Sequence, residues 1–137
     1  MSMEQDIGNL EQLAAMDAEI KKLTGGIETE RGEIDGVRTE VAELEGRLET
    51  DRESVHEMGK TRGDLVQEIR QISQQIDRSR ERLQRARNER EVNAAERELD
   101  ELRKIQRDRD EEVKRLGELA EQARVSIHES ETRKGEL

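Results

Sequence analysis

The chain has no Cys, Pro, Phe, Tyr or Trp among its 137 residues. Each absence excludes something. Without Cys there is no disulfide, no thiolate zinc site and no thiol nucleophile, so the redox compartment cannot be read. Without aromatics, a compact domain loses the side chains that usually dominate its core. Without Pro, no helix is interrupted by a residue that costs about 3 kcal/mol in a helix interior. No apolar run exceeds the four residues Leu13 to Met16, so neither a membrane span nor a signal peptide is expected. A cytoplasmic location is the default expectation. Charged residues make up 44% of the chain and apolar residues 30%. Such a composition fits either disorder or a long helix.

Periodicity decides for the helix. With position a of a heptad at Leu13, the a sites are Leu13, Ile20, Ile27, Ile34, Val41, Leu48, Val55, Arg62, Ile69, Ile76 and Leu83. The d sites are Met16, Leu23, Glu30, Val37, Leu44, Asp51, Met58, Leu65, Ile72, Ser79 and Ala86. Eighteen of these 22 are apolar. A straight amphipathic helix would drift about 20° per heptad, so a strict 3.5 period of this length specifies a coiled coil. The stripe restarts at Val92, two residues out of phase, and continues through Ala95, Leu99, Leu102, Val113, Leu116, Ala120, Ala123, Ile127 and Leu137. Folded back about Glu89, every a or d residue faces a d or a residue whose number completes a sum of 178. Ala86 then meets Val92, Leu83 meets Ala95, Ser79 meets Leu99, Ile76 meets Leu102 and Val41 meets Leu137.

The pattern predicts an all-α fold, a long antiparallel two-helix coiled-coil hairpin. It occupies residues 1–137 as one domain, with helix 1 over about 4–86, a turn at 87–91 and helix 2 over about 92–137. The Gly25–Gly26 pair is the expected place for bending or fraying. Arg62 and Arg109 at core sites either fix the register, as buried polar residues sometimes do, or, the plainer expectation, snorkel outward on their apolar stems. Glu30 and Asp51 are cheap at d only where the helix stays wet. Charges beside the seam suggest Arg80 with Glu96 and Arg82 with Glu98 near the tip. Further out, where the flanking charges are neutral on balance, Arg52 falls near Arg124 and Glu45 near Glu131.

The sum of 178 also exposes a shortfall. Leu137 reaches back only to Val41, so Leu13, Met16, Ile20, Leu23, Ile27, Ile34 and Val37 have no facing helix. Burying seven such side chains is worth roughly 10–20 kcal/mol. The expectation is that helix 2 continues in a longer protein to about residue 165, or that a second copy covers the seam as a homodimer.

The start, Leu10-x-x-Leu13-Ala14-x-Met16-Asp17-x-Glu19-Ile20, and the segment Asn88-Glu89-Arg90-Glu91-Val92-Asn93-Ala94-Ala95-x-x-Glu98 resemble bacterial C4-type zinc-ribbon proteins. Asn88, Arg90, Glu91, Ala94 and Glu98 match that family's hairpin signature. Val92 stands where Tyr is usual and Ala95 where Leu is usual, which removes bulk from the tip. The resemblance implies a hairpin followed by a small zinc ribbon, so zinc is expected only in a ribbon that this chain lacks, and no cofactor within it. It also implies an adaptor or chaperone-like role, including flagellar and type III secretion assembly, with nucleic-acid binding proposed for some members.

Catalysis has little to stand on. His56 and His128 fall on the outer face, and two helices offer no pocket for an acid–base pair. The chain is read as a non-enzymatic adaptor or scaffold with protein partners. The one compositional anomaly is the tip. Net charge is −10 overall, yet residues 78–90 hold Arg78, Arg80, Arg82, Arg85, Arg87 and Arg90 against Glu81 and Glu89. An anionic partner, protein or nucleic acid, would meet that patch. An ordinary solvated face is the plainer expectation, and the lack of aromatics for base stacking weighs further against nucleic acid.

Overall fold

The computed structural model describes residues 2–137. Two helices account for nearly all of it, α1 over Met3–Arg85 and α2 over Glu89–Glu136. Local chemistry sets their ends. Ser2 Oγ accepts the Gln5 N–H at 3.2 Å, and the Ser2 N–H donates to Gln5 Oε1 at 3.4 Å, a reciprocal capping box. Acids stand in both first turns and bases in both last turns, as the helix dipole favours. No described residue has a positive φ, and α1 runs unbroken through Gly25–Gly26. Thr29 Oγ1 donates to the Gly25 carbonyl there, at 2.9 Å.

The connection is shorter than the expected turn at 87–91. Only Ala86, Arg87 and Asn88 lie between the helices, so α2 starts at Glu89 rather than Val92. Asn88 is the reason. Its Oδ1 accepts the Glu91 N–H at 2.9 Å, its carbonyl accepts the Val92 N–H at 3.1 Å, and Glu91 Oε2 accepts the Arg87 N–H at 2.9 Å. An Asn cap with an acid three residues on starts the helix before its apolar stripe does.

The chain packs as two compact units. One is Glu45–Glu136; the other takes in the chain up to Leu44 together with Leu137. Within Glu45–Glu136, α1 and α2 form an antiparallel hairpin. Every expected a or d residue from Leu48 to Ala86 is buried or half-buried, and so is every one from Val92 to Ser130 except Arg109. Ile72, Ile76 and Leu99 form the central cluster, with Leu83 and Leu102 packed against it. Leu48 and Ser130, partners under the 178 rule, are 3% exposed each, as expected for residues that cover one another.

Ion pairs confirm the register. Arg82–Glu98 (2.9 Å), Arg109–Glu68 (2.9 Å), Lys134–Glu45 (3.2 Å) and Arg52–Glu131 (2.8 Å) give sums of 180, 177, 179 and 183. The last two correct the expected like-charge contacts. Arg52 and Glu45 lean along the hairpin to opposite charges, because long side chains span more than one layer. Asp51 is half-buried and accepts a hydrogen bond from Ser126 Oγ at 2.8 Å, which compensates its place at d. Arg109 is exposed and pairs outward, as expected for a snorkelling side chain. Arg62 differs: its guanidinium lies over Gly117, and its Nε is buried without a partner.

In the other unit the same stripe is uncovered. Residues from Leu13 to Val37 are all exposed, Glu30 included; Val41 and Leu44 are half-buried.

Candidate docking surfaces

The tip is ordered by its own hydrogen bonds. Asn88 and Glu91 act as the cap, and Val92 turns inward and is half-buried. Ala94 and Ala95 floor an open groove of about 350 Å³ whose walls are Arg82, Arg85, Glu91 and Glu98. The small side chains at 94 and 95 leave that space.

The six tip arginines do not share one groove. Arg82 and Arg85 stand in the groove with Glu91 and Glu98. Arg80 lines a second groove with Glu96, Asp100 and Arg103. Arg90 lines a third with Glu89, Asn93 and Arg97. Arg78 and Arg87 are exposed. Each of the three grooves thus carries acid as well as base, and Arg82 is engaged by Glu98 at 2.9 Å. The local excess of positive charge is spread around the hairpin rather than gathered on one face.

The seam is the second surface. Leu13 is 55% exposed, Met16 60%, Ile20 60%, Leu23 61%, Ile27 51%, Ile34 51% and Val37 38%. A single heptad stripe aligns all seven, and Glu30 is the one polar residue inside it. Leu23 and Ile27 flank a shallow groove with Glu19, Lys22, Gly26 and Glu30. Ile34, Val37 and Arg38 line another with Leu137.

Other chemistry is sparse. His56 and His128 are exposed. Among the described residues no group of three or more His, Asp or Glu is placed to hold a metal ion. Among the described residues no helix is long and apolar enough to cross a membrane. The Arg115 guanidinium, hydrogen-bonded to Glu112 at 2.7 and 3.1 Å, holds that carboxyl below the usual range, and Glu112 in turn raises Arg115. A lowered carboxyl suits a surface ion pair and not a proton donor near neutral pH.

The chain matches no family model, no curated protein and no solved structure. Sequence reasoning located the seam and both helices of the hairpin. It missed the Asn88–Glu91 cap, although Asn-x-x-Glu ahead of an apolar stripe is a readable signal. It grouped the six arginines as a possible patch by their closeness in sequence, which at a turn does not fix the face each one takes.

Proposed function

We propose that the chain is a non-enzymatic coiled-coil adaptor or scaffold. The hairpin Glu45–Glu136 is a spacer that presents the capped tip, and Leu13–Val37 joins it to protein. The observation that carries this reading is the stripe of seven large apolar side chains left in water. Apolar patches of this kind mark protein contacts. The likeness of Asn88, Arg90, Glu91, Ala94 and Glu98 to the hairpin signature of bacterial C4-type zinc-ribbon proteins supports the same reading. It suggests assembly of secretion or flagellar machinery in the cytoplasm, with zinc confined to a ribbon outside these residues.

A photo-crosslinking residue placed at Ile20 in cells is the test. It should label protein strongly, whereas the same residue at Glu28, on the outer face, should label little. Equal labelling at the two positions would remove the seam as a docking surface, and the adaptor reading with it. Binding of RNA or DNA that weakens steeply with salt would instead favour the tip arginines as the working surface.

A further inference from the structure

The two ends of the uncovered stripe differ in character. Before Leu13 the a and d positions turn polar, with Asp6 and Asn9, and the exposed Ile7 and Leu10 fall outside the a/d stripe, at b and e. After Val37 the next positions, Val41 and Leu44, are already half-buried. The free interval therefore opens on an a residue and closes on a d residue. Antiparallel coiled-coil helices set a opposite d, as the hairpin Glu45–Glu136 does throughout. An interval bounded in this way is complementary to a reversed copy of itself.

We propose that the seam Leu13–Val37 is covered by the same seam of a second copy, antiparallel about a two-fold axis at residue 25, so that residue i faces residue 50 − i. This rests on the adaptor reading only in taking the seam as a protein-binding surface. The facing pairs are Leu13 with Val37, Met16 with Ile34, Ile20 with Glu30 and Leu23 with Ile27, each made twice, as an isologous interface requires. Neighbouring registers do worse. A sum of 43 sets Ile34 and Val37 against Asn9 and Asp6, and a sum of 57 demands Val41 and Leu44, which are already half-buried.

Area and charge favour this partner. At their observed exposures the seven side chains offer on the order of 90 Å² each, so two copies remove roughly 1,300 Å² from water, inside the range of about 1,200–2,000 Å² for stable interfaces. A parallel, in-register pair would set Glu30 directly against Glu30 of the second copy. The antiparallel pair sets each Glu30 against Ile20 and holds the two carboxylates about 15 Å apart along the axis. That exceeds the Debye length of about 8 Å at physiological salt. Flanking charges cancel, since Asp17 attracts Arg31 across the pair while Glu19 repels Glu33.

The chain has no Cys of its own, which makes crosslinking a clean test. Under oxidising conditions the Leu13→Cys/Val37→Cys variant should form a covalent dimer, and each single variant should stay monomeric on a denaturing gel. The two sulfurs of one chain are roughly 36 Å apart along the helix and cannot meet. In sedimentation, Leu23→Glu should abolish the dimer without moving the hairpin's thermal transition, and Glu30→Leu should tighten it at least tenfold. Crosslinking by Leu13→Cys alone would overturn the antiparallel register. A concentration-independent monomer whose Ile20 labels a different protein would overturn the dimer and keep the adaptor reading. A monomer whose Ile20 labels nothing would overturn both.

Discussion

Leu23 and Leu48 belong to one heptad register on the same helix, at a d and an a position, yet Leu23 is 61% exposed and Leu48 is 3% exposed. Nothing in their immediate sequence separates them. Both sit in runs of acids, polar residues and glycines, one apolar side chain every third or fourth position. What differs is a facing helix: within Glu45–Glu136 α2 lies against the stripe, and Leu13–Val37 has no such cover. A heptad register thus encodes which face of a helix is adhesive, and a second helix decides whether that face is buried. The uncovered stretch also carries Gly25, Gly26, Gly32 and Gly36, each costing about 1 kcal/mol relative to Ala. Helix propensity alone holds such a segment weakly, so its order depends on whatever covers the seam.

The largest expected effect breaks or upholds this contrast directly. Leu99→Ala removes a side chain from the cluster with Ile72 and Ile76. It should lower the hairpin's stability by about 2–5 kcal/mol in urea denaturation. Leu23→Ala, measured at concentrations low enough to keep the chain monomeric, should change the same transition by less than about 0.5 kcal/mol. Equal losses would mean that the two regions share one core.

The hairpin was legible because its signal is redundant. Some two dozen positions obey one sum, so Arg62, Ser79, Asp51 and Arg109 could interrupt the stripe without obscuring it. Details set by single side chains were less legible. Asn88 moved the start of α2 three residues earlier than the stripe implied, because a cap acts on the backbone and leaves no trace in hydrophobic periodicity. Arg52 and Glu45 found opposite charges because side-chain reach exceeds the spacing of one layer. The groove over Ala94 and Ala95 was visible as missing bulk, but its mixed walls depended on which arginines face it.

Two polar residues inside the paired region sharpen the comparison next. Ser79 is completely buried, and its hydroxyl has no hydrogen-bond partner. Arg62 buries its Nε without a partner over Gly117. An unsatisfied buried donor costs about 1–3 kcal/mol. Ser79→Ala and Arg62→Met should each stabilise the hairpin by about 1 kcal/mol, and the double variant by about 2 kcal/mol, since the sites are well separated. Arg109→Met is the control. Arg109 is exposed and donates to Glu68 at 2.9 Å, so its loss should fall within about 0.5 kcal/mol. A destabilised Ser79→Ala would show that the hydroxyl holds the layer with Leu99 in place.

The smallest effect tests the cap as a device confined to the paired region. Asn88→Ala removes the acceptor for the Glu91 N–H and leaves the Glu91 carboxylate on the Arg87 N–H as the remaining side-chain cap. The expected loss is about 1 kcal/mol in chemical denaturation, and Asn88→Asp should recover most of it, because Asp caps nearly as well as Asn. Native-state hydrogen exchange separates this from a general loosening. Amides of Glu91 and Val92 should exchange faster, while those of Ile20 to Ile27 should keep their wild-type rates. Faster exchange at both places would tie the order of the seam to the closure of the hairpin, and the contrast between covered and uncovered helix would then reduce to a single folding unit with a frayed end.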